Sequence, residues 1–167
     1  MIADAARVLL FPALMAFAAS SDLLTMTISN RMSLILVGSF FGLALGTGMT
    51  PVDVIGHLGA GCIVLVAGFA LFAGGWIGGG DAKLAAAIAL WLGLDHLLAY
   101  LVYASLLGGA LTVALVQFRL APLPDWLARE EWLQRLHREH AGVPYGIALA
   151  AAALAIYPDT QWMAAGS

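Results

Sequence analysis

The sequence is short of charge and of cysteine, and it has no polar run long enough to build a soluble domain. Only 10% of its 167 residues are Asp, Glu, Lys or Arg, against 62% that are hydrophobic. The seven basic residues are dispersed, so the electrostatic footprint of a nucleic-acid binder is missing. The lone cysteine, Cys62, excludes an intrachain disulfide and a cysteine zinc cluster, and within its apolar run it reads as a small packing residue. His137 and His140 lie either side of Glu139, but the spacing is not His-Glu-x-x-His and the surrounding segment reads as a solvated surface helix, so no metal is expected. His57 reads as a packing or hydrogen-bonding histidine.

What is present is hydrocarbon. This composition is that of an integral membrane protein, and the length allows about six spans of roughly 20 residues. Apolar runs at 5–20, 32–49, 54–77, 82–94, 97–118 and 143–157 predict an all-α, polytopic fold with about six transmembrane helices in one membrane domain, 1–167. Asp4 and Arg7 cancel where a signal peptide carries net positive charge, so the first run is read as an uncleaved span. The fourth run is short and should end at Asp95-His96. Between 119 and 140, Trp126, Leu127, Trp132, Leu133 and Leu136 alternate with Arg129, Glu130, Glu131, Arg135 and Arg138. This pattern predicts an amphipathic helix on the bilayer surface, with Asp125 as its cap. Trp76, Trp91, Trp126 and Trp132 are read as interfacial anchors.

Threading the runs in alternation puts Arg31, Lys83, Arg119, Arg129, Arg135 and Arg138 on one side and only Arg7 on the other. The positive-inside rule makes the first side cytoplasmic and both termini external. Asp22 then ends the first span and Asp81 follows the third, so a helical hairpin returns both carboxylates to the cytoplasmic face.

Asp81 stands directly behind Gly78, Gly79 and Gly80 and before Ala82-Lys83. A carboxylate in such a setting would cost about 2.5–3.5 kcal/mol at the centre of a membrane helix, which makes it a functional candidate. Glycines beside it let another backbone come close. Two carboxylates in a poorly solvated site share a proton, so one can act as a general base while the other donates. The same residues allow a blander reading, in which Asp22 caps a helix end and Asp81 pairs with Lys83 at the surface.

Asp22 with Ile28-Ser29-Asn30, then Gly78-Gly79-Gly80-Asp81-Ala82-Lys83, then Val143-Pro144-Tyr145-Gly146, resemble in order the three signatures of the prepilin peptidases, polytopic aspartic proteases of the GxGD type. The likeness is greatest to the short form associated with tight-adherence (Flp-type) pili. The resemblance implies cleavage of the basic leader from type IV pilin-like precursors, after a glycine, at the cytoplasmic face of the bacterial inner membrane. It implies Asp22 and Asp81 as the catalytic pair and no cofactor. Gly78, Gly80, Lys83, Asn30, Pro144, Tyr145 and Gly146 are the further motif residues, with Tyr145 helping to shape the site floor. The cysteine-bearing insertion of the long form has no counterpart between Asp22 and Met32, so N-methyl transfer is not expected.

Two other classes stay open on the residues alone: a proton-coupled carrier using Asp22, Asp81 and Lys83, and a non-catalytic pilus-assembly subunit. Gly38, Gly42 and Gly46 repeat at four-residue spacing and suggest close packing of a second helix. That stripe is also read as the groove for the apolar helix of a precursor.

Overall fold

A computed structural model describes residues 2–124, 129–138 and 141–164, and the described residues are helical with no strand. The helices are α1 (Ile2–Thr25), α2 (Asn30–Thr47), α3 (Pro51–Ala73), α4 (Gly79–Leu120), α5 (Glu131–His137), α6 (Tyr145–Ile156) and α7 (Gln161–Ala164). A 3-10 turn, Tyr157–Asp159, joins the last two. Among them α1, α2, α3 and α4 are long and apolar enough to cross a membrane. At 12 residues, or about 18 Å, α6 is too short to do so alone. The six expected spans therefore correspond to four candidate helices and a shorter apolar one.

The difference arises chiefly in α4, whose 42 residues would reach about 63 Å if unbroken, twice the hydrocarbon thickness. It is broken at Gly93 (φ 76°, ψ 177°), a conformation that a Cβ would disfavour. The expected boundary at Asp95-His96 is thus shifted to Gly93, and those two residues are helical. Contacts on either side show that the chain doubles back there. Ahead of the break α4 runs antiparallel to α3, with Gly68 against Ala82 and Gly61 against Leu90. Beyond it, Gly108 lies against Tyr145, whose neighbour Gly146 touches Asp22.

A helix interrupted inside an apolar body exposes carbonyls at its end, and these must be satisfied. His57 Nδ1 donates to the Leu90 carbonyl at 2.7 Å, and Trp162 Nε1 donates to the Trp91 carbonyl at 2.7 Å. Gln161 in turn donates to His57 Nε2, which leaves neither ring nitrogen of this buried histidine idle. Trp91, read from the sequence as an interfacial anchor, is instead fully buried, and its Nε1 donates to the Leu36 carbonyl. Its ring packs 5.0 Å from Phe11 and 5.3 Å from Trp162, and Phe11 stacks on Tyr157 at 4.5 Å. This aromatic knot fastens α1, α4 and the C-terminal turns at the end of the molecule away from Asp22. Trp76 is 80% exposed, as an anchor requires.

The remaining turns are short because their caps are local. Gly48 (φ 69°) ends α2, and Thr50 opens α3 by accepting the Asp53 amide while donating to the Asp53 carboxylate. Helix boundaries move in consequence. The first helix runs on to Thr25 and takes in Asp22, the third stops at Ala73, and the fourth begins at Gly79. The expected interfacial helix over 119–140 is described only as the seven residues of α5; Asp125 and Trp126 lie outside the described residues. That short helix is tethered by Arg119, which donates to the Leu136 carbonyl, and by Arg135, which donates to the Leu24 carbonyl. Among the described residues, no other part of the fold packs on Gly38, Gly42 or Gly46: a Cβ at any of them would meet no atom of another element within 4 Å. Cys62 is exposed and is not the packing residue its apolar neighbours suggest.

Replacing His57 by Ala leaves the Leu90 carbonyl unpaired in the core and opens a void, a loss of about 2–4 kcal/mol. Thermal unfolding in detergent should show a clearly lowered Tm for His57→Ala and partial recovery in His57→Gln, whose amide still donates. A His57→Ala protein as stable as the wild type would contradict the capping role.

Candidate active site

Asp22 sits in the last turn of α1, which the chain leaves through a left-handed residue. Met26 has φ 53°, a position where glycine is usual and where a side chain costs on the order of 1–3 kcal/mol. Hydroxyls around the turn hold it. Thr25 Oγ1 donates to the Ser21 carbonyl at 2.7 Å and bonds Thr27 Oγ1 at 2.8 Å, while the Met26 amide closes onto the Asp22 carbonyl at 2.8 Å. Ser29 then caps α2, its side chain accepting the Met32 amide. The outcome is a tight four-residue link that lays Ile28 across the start of α4.

Asp81 is in the first turn of α4, where the helix dipole favours a negative group. Its carboxylate folds back over Gly78, so that a Cβ on Gly78 would lie 2.9 Å from Oδ2. Gly80 faces Ile28 instead, and a Cβ there would come within 3.2 Å of the Ile28 Cβ and 3.3 Å of its carbonyl oxygen. Gly79 is different: its nearest neighbour is the ring of Phe72, which is half exposed and free to swing outward. The first and third glycines therefore hold the site, whereas the middle one does not.

The third segment arrives through Pro144. With φ −73° and ψ 77°, and the Tyr145 amide bonded to the Val143 carbonyl at 2.8 Å, Pro144 forms an inverse γ-turn that suits its ring. This aims the free amides at the start of α6 toward Asp22. The Gly146 amide donates to Asp22 Oδ2 at 2.7 Å, and a Cβ on Gly146 would overlap that oxygen at 2.7 Å and Ile28 Cδ1 at 2.9 Å.

Asp22, Met26, Thr27, Ile28, Gly78, Gly80, Asp81 and Val143 together line a cavity of about 240 Å³. Asp22 is 3% exposed, and it shares this cavity with Asp81. Among the described residues no basic side chain lines the cavity. Lys83 does not pair with Asp81; its Nζ donates to Asn30 Oδ1 at 2.8 Å, on the other side of α4. Tyr145 also points elsewhere, packing on Gly108 and sharing a hydrogen bond with Thr112, so it fastens α6 to α4 and does not line this cavity.

Ile28, Met26, Thr27 and Val143 were not singled out as site residues by sequence reasoning. Ile28 and Val143 lie inside the quoted motifs. Met26 and Thr27 carried no signal, since a methionine in a left-handed turn cannot be recognised from its type. Among the described residues no cluster of three or more His, Cys, Asp or Glu side chains could hold a metal.

Residues 9–113 match the model of the type IV leader peptidase family. The match includes Asp22 and the Gly78–Lys83 motif but stops before Gly146, which only the three-dimensional contact brings to the site. No curated protein and no solved structure matches the chain.

Gly146→Ala and Gly80→Ala should each reduce precursor cleavage by about 100-fold or more, the effect of misplacing a reacting group by an ångström. Gly79→Ala should stay close to wild type, because only a mobile ring must yield. Initial rates with membrane levels matched would check this, and equal losses in all three would contradict the geometry.

Proposed function

Because the chain belongs to the type IV leader peptidase family, we propose that it removes the basic leader from Flp-type pilin precursors, using Asp22 and Asp81 as an aspartic-protease pair at the cytoplasmic membrane face. The observation that carries this reading is that two carboxylates far apart in sequence line one cavity, with no basic side chain among the described residues of its wall. A pair of this kind retains a proton between its members. One carboxylate then takes a proton from an attacking water while the other donates to the scissile carbonyl oxygen, and the roles reverse as the amine leaves.

The surroundings support these roles. The Gly146 amide fixes one oxygen of Asp22 and leaves the other for the cavity. Asp81, on the first turn of α4, is less deeply buried than Asp22. The blander reading of Asp22 also has an observation behind it, since the Gly146 bond makes this carboxylate a cap for α6. Family membership in a peptidase group favours the catalytic role over that one and over the carrier.

Arg119 and Arg135 lie at the same end as Asp22, Arg135 by its bond to Leu24. This agrees with the positive-inside assignment of that end to the cytoplasm. With α4 counted as two helices about its Gly93 break and α6 as a short partner, the six-span layout and external termini follow as part of the proposal. The link between α1 and α2 leaves no space for the long form's insertion, so the enzyme should leave the new pilin terminus unmethylated.

Purified protein in detergent, mixed with a Flp-type precursor, should release one fragment whose mass equals the leader up to its final glycine. The mature product should gain no methyl mass when S-adenosylmethionine is added. Cleavage elsewhere, or a methylated product, would contradict the reading.

A further inference from the structure

Among the described residues Met26 is the one residue other than glycine with a positive φ, 53°. That backbone crowds a Cβ against the following carbonyl, so glycine takes the position at no steric cost and asparagine at little. The turn itself does not call for methionine. It is closed by backbone, the Met26 amide on the Asp22 carbonyl, and by the hydroxyls of Thr25 and Thr27 on either side. A strained residue beside a reacting group points to a role for its side chain.

That role is not packing of the core. Ile28, Met49 and Met163 are half-buried side chains packed against the hydrophobic core; Met26 is half-buried too, and is not one of them. It lines the cavity of Asp22 and Asp81 instead. Most of that wall is fixed in place. Gly78 and Gly80 have no side chain to move, Ile28 is wedged against Gly80 and Gly146, and Thr27 is tied to Thr25. Met26 brings a long, unbranched and apolar side chain that can adapt its shape to whatever enters.

Resting on the peptidase reading above, we propose that Met26 is a substrate-contact residue, whose thioether side chain closes over the precursor segment carrying the scissile bond and holds it by apolar contact beside the two carboxylates. The bond from its amide to the Asp22 carbonyl, 2.8 Å long, fixes the root of this side chain relative to a reacting carboxylate. The side chain carries neither charge nor a transferable proton. Its contact is therefore the same before and during the reaction, and such uniform binding acts on KM and leaves kcat alone.

Met26→Gly separates the side chain from the turn, because glycine adopts the left-handed backbone freely. Its Tm in detergent should equal the wild type or exceed it by up to about 4 °C. KM for a Flp-type precursor should nevertheless rise about tenfold, with kcat little changed. Met26→Leu keeps both the strain and the apolar bulk, and its KM should stay near wild type. Met26→Gln keeps the strain and the length but ends in a polar amide, and should raise KM about as much as glycine does. A clearly lowered Tm in Met26→Gly would make the methionine a structural residue and overturn the proposal. A loss confined to kcat would mean that Met26 acts by holding Asp22, and would overturn it as well. Wild-type KM in Met26→Gly would show that the side chain touches no substrate, while the peptidase reading stands. Wild-type protein that cleaves none of several precursors would overturn the peptidase reading and this proposal together.

Discussion

The bond from the Gly146 amide to Asp22 Oδ2 is the contact on which the end with the two aspartates depends. It joins the last turn of α1 to the first turn of α6, segments 124 residues apart in sequence. Ile28 is wedged against Gly80 and Gly146, which adds the start of α4 to the same junction. Three backbones meet here without the separation that side chains would impose. A buried carboxylate placed in this way is satisfied by a helix N-terminus and needs no cation, so Lys83 is free to serve elsewhere.

The opposite end of the molecule is built on different physics. There the break at Gly93 folds α4 back on itself, and its loose carbonyls are taken by His57 and Trp162 within a knot of stacked rings. Large aromatic rings supply rigidity where no chemistry is required, whereas small residues and strained turns occupy the end with the aspartates. Met26, held left-handed beside Asp22, is the clearest case of strain located at a site.

Much of this was legible in the sequence, for identifiable reasons. Hydrophobic runs mark the helices, and the count of intervening spans puts Asp22 and Asp81 at one face. The Gly-x-Gly spacing marked close approach, although the partner, Ile28, could not be named from spacing alone. Boundaries moved because capping is local: α1 runs past the polar Ser20-Ser21-Asp22 because serine and threonine hydroxyls bond back to its own carbonyls. The break in α4 was expected at the charged Asp95-His96, whereas glycine geometry governs it. Trp91 was assigned to the membrane surface by composition, but its indole is required in the core as a donor to Leu36. A pairing of Lys83 with Asp81 is already poor on the sequence, since residues two apart do not share a helix face, and Lys83 turns to Asn30.

The central claim is that Asp22 and Asp81 work through their titratable protons and not through shape. Asparagine separates these, since its side-chain oxygen can still accept the Gly146 amide while its carboxylate chemistry is gone. Cleavage of a co-expressed Flp-type precursor by Asp22→Asn and by Asp81→Asn, at membrane levels equal to the wild type, is therefore the most direct measurement. Each single change should lower the rate by about 100-fold or more. Wild-type cleavage by either variant would contradict the two-carboxylate account and leave that aspartate as a structural cap.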